Sequence, residues 1–90
     1  MLITWDDKKN EDNFRKHGVW FEEAATVFTD PLAKTALDDF PGEERFITIG
    51  TSEKHRLLLV VHFNKTDEEI RIISARPLTA KERKDYEEGI

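Results

Sequence analysis

Cysteine is absent, so the chemistry open to this chain rests on three histidines among fourteen Lys/Arg and nineteen Asp/Glu. Thiol nucleophiles, thiolate zinc sites and disulfides are excluded. Proton transfer and charge stabilisation remain. An imidazole has a reference pKa of about 6.5 and can move protons near neutrality. A guanidinium fits two phosphate oxygens at once. If Glu53-Lys54 is a two-residue turn, Arg45 faces His62, Ile47 faces Val60 and Ile49 faces Leu58, all on one sheet face. Glu44 adjoins Arg45, and Arg76 closes a later apolar run. Each also has a structural reading. His62 can be a packed histidine, Arg45 a partner of Glu44, Arg76 a partner of Glu82, and Glu44 a solvated turn residue.

A second polar line runs through Asp6, Lys9, Asn13 and Lys16, at i, i+3, i+7 and i+10, with His17 following. On a helix these share a face. They can line a groove; equally, Asn13 can bond locally while Lys16 and His17 favour the negative helix end. The side taken by Arg71 depends on the loop at 64–68. A turn at Thr66-Asp67 puts Arg71 beside His62. A loop one residue longer puts Ile70, Ser74 and Arg76 there instead. Asp38, Asp39, Glu43 and Glu44 form an acidic cluster that suits a hard cation or a solvated loop. His55 reads as an exposed turn residue. Trp5 and Trp20 suit core packing better than base stacking.

The elements that must position these groups follow from pattern. Ninety residues make one domain, 1–90. Leu2 to Trp5 is a short strand. Asp6 caps a helix to about His17, and Gly18 stops it. Phe21, Ala24, Ala25 and Phe28 give a second helix from about Trp20 to Phe28 one apolar stripe, ended by Asp30-Pro31. The period then falls to two. Strands are predicted at Lys34 to Asp38, Arg45 to Gly50, Arg56 to Phe63 and Glu69 to Arg76, with a turn at Phe40-Pro41-Gly42-Glu43. Thr79-Ala80-Lys81-Glu82 is a capping box opening a last helix to about Glu88. The order predicts an α+β fold: a twisted antiparallel sheet with helices on one face.

Net charge is −5, distributed unevenly. Residues 1–20 are neutral, 21–44 carry −6, 45–84 carry +4 and 85–90 carry −3. An acidic front and a basic rear can face different partners. The overall sign disfavours stand-alone DNA binding. The longest apolar run, Leu57 to Val61, is far below the roughly 20 residues of a membrane span, and the N-terminus lacks a secretion pattern. A cytoplasmic protein without membrane contact is the expectation.

The run Trp5-Asp6, Lys9, Asn13, Lys16-His17-Gly18, Phe21-Glu22-Glu23-Ala24, Val27-Phe28, Asp30-Pro31, Gly42-Glu43-Glu44-Arg45, Gly50 and Ile70 to Arg76 closely resembles the BrnT family of bacterial toxins. Glu82 and Tyr86 extend the likeness, which spans nearly the whole chain. Trp20 departs from it, since many members have a small capping residue there. The resemblance implies a RelE-like fold and a ribonuclease toxin of a type II toxin–antitoxin module. It implies a BrnA antitoxin with a ribbon-helix-helix domain, through which alone the toxin meets DNA, and no metal or other cofactor. It favours His62, Arg45, Arg76 and Glu44 as catalytic groups, with Lys9, Asn13, Lys16, His17 and Arg71 as RNA contacts. The alternative is a non-enzymatic module that binds a DNA-binding partner and tunes its repression.

Overall fold

Strand β1 is Leu2–Thr4 and helix α1 is Asp7–His17. The Asp6 carboxylate accepts the Lys9 N–H at 3.0 Å, satisfying one of the unpaired donors of the first turn. Gly18 ends α1 at φ 69°, a left-handed conformation that is easy for glycine, and its N–H closes on the Phe14 carbonyl. The computed structural model describes residues 1–39, 41–42 and 44–89. The turn expected at Phe40-Pro41-Gly42-Glu43 therefore falls partly outside the described residues.

The second helix is shorter than its stripe suggests. Helix α2 spans Phe21–Ala25, and a 3-10 turn follows at Thr26–Thr29. The hydroxyls of Thr26 and Thr29 donate back to the carbonyls of Glu23 and Thr26, each at 2.7 Å, and compete with α-helical continuation. The tighter winding rotates Val27 into the core, leaving Ala25 and Phe28 partly buried. Trp20 precedes α2 without a side-chain cap. Asn10 on α1 supplies the missing acceptor, taking the Phe21 N–H at 2.7 Å.

Strands β2 (Lys34–Asp38), β3 (Arg45–Thr51), β4 (Leu57–Thr66) and β5 (Glu69–Pro77) precede helix α3 (Ala80–Glu87), which opens with the expected Thr79/Glu82 capping box. The sheet order is β1-β5-β4-β3-β2. Strands β2 to β5 form an antiparallel meander, but β1 lies parallel to β5, with Ile3 beside Ile70. The expected wholly antiparallel sheet is corrected at this one pairing.

One loop residue changes the register. The Ser52 N–H bonds the Arg56 carbonyl, so Glu53-Lys54-His55 forms a three-residue connection. His55 takes φ 62°, the left-handed residue that such loops require. Phe46 therefore pairs with His62, Thr48 with Val60 and Gly50 with Leu58. The expected opposition of Arg45 and His62 is overturned: a shift of one residue sends them to opposite faces. Across the β4–β5 turn at Asp67-Glu68, extra residues at Lys65 and Ile73 bring Arg71 opposite Phe63, Ser74 opposite Val61 and Arg76 opposite Leu59. His62 faces Ile72, so neither register expected for Arg71 holds.

The core lies between the helical segment and one sheet face. Val19, Phe21, Ala24 and Val27 pack on Leu58, Val60, Ile72 and Ala75. Trp5 meets Phe21 edge-on at 6.2 Å. A Cβ built on Gly50 would stand 2.9 Å from the Ala33 Cβ and 3.0 Å from Val27 Cγ1, so only glycine lets β3 approach this closely. Helix α3 buries no residue. It is held through Glu82 on Arg76 and through the Tyr86 hydroxyl, which donates to the Leu32 carbonyl at 3.0 Å. A hollow separates it from Lys34, Ala36, Ile47 and Ile49. These residues lie on the sheet face opposite the core, so helices flank both faces, not one. Arg76 projects away from the core and draws α3 to that side.

Candidate active site

The groups expected to do chemistry are not assembled where the sequence places them. His62 is 3% exposed on the core face. Its Nε2 bonds the Thr48 hydroxyl at 2.8 Å, which in turn bonds Thr35 at 2.7 Å. Phe28 meets the ring edge-on and Phe46 lies alongside it. Burial pushes the imidazole pKa down to about 4, and Nδ1 has no partner among the described residues. His62 is thus a neutral core histidine, closed to any substrate in this conformation. Its neighbours in the strand are apolar on both sides, and that pattern favours the packed reading.

Arg45 lies on the opposite face and donates to Asp38 through Nη2 at 2.7 Å and Nε at 3.2 Å. Arg76 forms a two-pronged bond with Glu82 at 2.8 and 2.9 Å. This bond, first among the causes, holds the Glu82 carboxyl down to about 2 and raises the guanidinium pKa. Glu44 is exposed just before β3. The expected acidic cluster includes Glu43, which lies outside the described residues. Among the described residues no three His, Cys, Asp or Glu side chains gather as metal ligands.

Asn13 serves the fold first, although it also forms part of a groove wall. It is 6% exposed. Strand β1 covers only the first part of β5, leaving the backbone of Ala75 open at the edge. The Asn13 amide occupies that edge like a missing strand. Nδ2 donates to the Ala75 carbonyl at 2.9 Å and Oδ1 accepts the Ala75 N–H at 3.1 Å. Nδ2 also donates to the Val19 carbonyl at 2.9 Å. A second buried polar cluster escaped the sequence reading. Glu23, 4% exposed, accepts from Arg56 and from the Ser52 hydroxyl, and the Arg56 bond foremost lowers its pKa. Arg56 also donates to the Gly18 carbonyl. The cluster ties α2 to the β3–β4 loop.

What the docking of α1 on β5 does create is a groove. Two shallow hollows, about 280 and 240 Å3, adjoin along the bulged edge of β5 and share Lys9 and Ile73. One is lined by Asp6, Lys9, Phe63, Lys65 and Arg71; the other by Asp12, Asn13, Lys16, His17 and Ser74. The acids are already occupied: Asp6 caps α1, and Asp12 pairs with Arg15 and Lys8. Among the described residues Lys9, Lys16, Lys65 and Arg71 have no carboxylate partner, and His17 is exposed at the helix end. All five predicted nucleic-acid contacts, Lys9, Asn13, Lys16, His17 and Arg71, thus line these hollows, Asn13 as a nearly buried part of the wall. Lys65 was missed, because it enters the groove only through the register shift between Asn64 and Thr66. At the helix end Phe14 and Trp20 stack at 4.2 Å, each about two-fifths exposed. Trp20 is therefore not a core residue as expected.

Residues 5–82 match the family model described as the ribonuclease toxin, BrnT, of type II toxin-antitoxin systems. The chain belongs to the BrnT family. The crystal structure of the Brucella abortus ribonuclease toxin BrnT is similar in fold, with a TM-score of 0.68 and 27% identity. The match covers 88% of this chain and 97% of that one. No curated protein sequence matches the chain. Membership of the BrnT family makes this a ribonuclease toxin with an RNA target and an antitoxin partner. No described helix is long and apolar enough to cross a membrane.

Proposed function

We propose that this BrnT-family chain cleaves RNA in the α1–β5 groove by metal-independent transesterification. The supporting observation is the gathering of Lys9, Lys16, Lys65 and Arg71, without carboxylate partners among the described residues, along one groove of a chain whose net charge is −5. A polyanion is attracted to such a strip despite the overall sign. The ribose 2′-hydroxyl loses its proton to a base and its oxygen attacks the adjacent phosphorus. The bond from phosphorus to the 5′-oxygen breaks, and that oxygen takes a proton, leaving a 2′,3′-cyclic phosphate. His17 is the accessible imidazole in the groove and supplies proton transfer. Arg71 and Lys16 stabilise the charge that builds on the phosphoryl oxygens. The Ser74 hydroxyl is available to bond a phosphate oxygen. His62 takes no part. Arg45 and Arg76 share the sheet face of Arg71 and act as outer phosphate contacts once their carboxylates yield; Glu44 lies beside Arg45 at the rim.

In this reading the fold is RelE-like, the toxin acts in the cytoplasm, and a BrnA-type ribbon-helix-helix antitoxin neutralises it. DNA is met only through that antitoxin. The test is purified protein on single-stranded RNA in the presence of a chelator. His17→Ala and Arg71→Ala should each lower cleavage by roughly 100-fold, the scale of one acid–base or charge-stabilising group, while the unfolding temperature holds. With four cations engaged, the log of affinity should fall against log salt with a slope of about −3. Full cleavage by the Lys9→Ala, Lys16→Ala, Arg71→Ala triple variant would sink the proposal.

A further inference from the structure

Strand β2 is the last in the sheet order and bonds β3 on one side only. Among the described residues no element pairs with its outer side. A free edge presents a row of unpaired N–H and C=O groups, and proteins blunt such edges with short strands, charged side chains, proline or bulges; β2 is five residues long and carries Lys34 and Asp38 at its ends. Within Lys34-Thr35-Ala36-Leu37-Asp38 there is no proline, and the pairing with β3 runs without a register shift. Leu37 is 63% exposed and nearby Leu32 is 75% exposed. These are large apolar side chains at an open edge, and the fold itself offers them no cover.

The sequence of β2 complements itself. Laid antiparallel on a second copy with Ala36 at the centre, Lys34 faces Asp38, Thr35 faces Leu37, and Ala36 faces its own equivalent. A two-fold axis doubles each contact. Both lysines meet aspartates on the face away from the core, where each Lys34 ammonium, 5.6 Å from the centre of the Tyr86 ring, swings outward to the second copy. On the other face the two Leu37 side chains become diagonal neighbours, within reach of each other at about 7–8 Å. The smallest side chain sits at the axis, where the strands come closest. This register suits either set of outward backbone groups, since an Ala36-centred pairing is symmetric about both. A slip of one residue one way sets Lys34 against Leu37 and loses both ion pairs, and a slip the other way sets it against Asp39; either slip turns the core faces of the two copies to opposite sides. Asp38 can accept Lys34 of the second copy while holding Arg45, because a carboxylate has about four acceptor positions.

We propose that β2 is a self-recognition edge, pairing antiparallel with β2 of a second copy about Ala36 and joining the two sheets into one. The acidic balance of residues 21–44 would also suit a basic extended segment of another protein. Self-pairing is favoured because opposite charges fall in register at both ends of the strand, a match that a foreign segment does not explain. The inference stands apart from RNA cleavage, since particle mass is read without substrate.

Sedimentation of the full chain over a wide concentration range should give twice 10.5 kDa. Lys34→Asp sets like charges opposite each other twice, and Leu37→Lys puts two cations diagonally across the axis; both should halve the mass with the circular dichroism unchanged. The cysteine-free chain allows a direct probe. Ala36→Cys should cross-link to the doubled mass with a short bis-maleimide, and Leu37→Lys should suppress this. Lys8→Cys, on the exposed side of α1, should not cross-link. A wild type of single mass that gives no Ala36→Cys product would overturn the inference. So would a dimer that survives both charge variants. A monomer whose antitoxin binding is lost on Leu37→Lys would assign the edge to the antitoxin, and would equally overturn it.

Discussion

Acidification should weaken this fold through His62 before its carboxylates matter. In the unfolded chain the imidazole takes a proton near pH 6.5; in the core, burial holds its pKa at about 4. Above pH 6.5 the ring is neutral in both states and contributes no pH dependence. Between pH 6.5 and 4 the unfolded chain binds the proton and the folded chain does not, so stability falls as pH falls. Below pH 4 both states are protonated and the loss is complete. The difference of about 2.5 pH units corresponds to about 3 kcal/mol at 1.36 kcal/mol per unit. That is a large part of the stability of a small domain. The perturbation to compare is His62→Leu, which removes the titrating ring and leaves Thr48 its bond to Thr35. Urea unfolding at pH 7.5, 5.5 and 4.5 should show wild type losing stability relative to the variant across that range, with the gap fixed near neutral pH. Carboxylates held low by their partners, Glu23 and Glu82 among them, titrate in both proteins and cancel. Parallel curves for the two proteins would refute the reasoning, as would an imidazole signal in the folded state titrating near pH 6.5.

Asn13→Leu should cost roughly 3 kcal/mol or more in urea unfolding, because three buried backbone groups, the Ala75 N–H and C=O and the Val19 C=O, lose their partner. Cleavage should fall with the fold rather than ahead of it. Gly50→Ala should lower stability by about 1–3 kcal/mol, since the added Cβ meets Ala33 and Val27 at 3.0 Å or less and one of the two elements must move. Calorimetry on Gly50→Ala against wild type checks this, and an unchanged unfolding temperature would show that the 3-10 turn gives way freely.

Much of the fold is legible because its signals are local. Asp6 and Gly18 bracket α1 by cap chemistry alone, and the Thr79/Glu82 capping box is read directly from spacing. The four meander strands follow from apolar alternation. The site is less legible because it depends on single-residue offsets. His55 can hold a left-handed conformation, so the β3–β4 loop has three residues where two would also be acceptable, and that one residue takes Arg45 off the face of His62 and sets Phe46 and Thr48 there instead. The extra residue at Ile73 puts Arg71 and Ser74 on one face although they are three apart, which simple alternation forbids. Asn13 looks like part of a polar helical stripe, yet its partner is a backbone edge 62 residues away. Spacing on one helix cannot reveal an edge that only tertiary structure leaves open. The face taken by α3 is hidden for the same reason: its anchor is the Arg76 side chain, and no apolar stripe declares a side.

The walls of the groove come from opposite ends of the chain, α1 from the first fifth and β5 from the last quarter, with Asn13 locking them together at Ala75. During synthesis α1 emerges first and has nothing to lean on until residue 75 clears the exit tunnel. Contacts of such long sequence separation form late. A chain that has been made only as far as β4 therefore has one wall of the groove and lacks the other, however well α1 has formed.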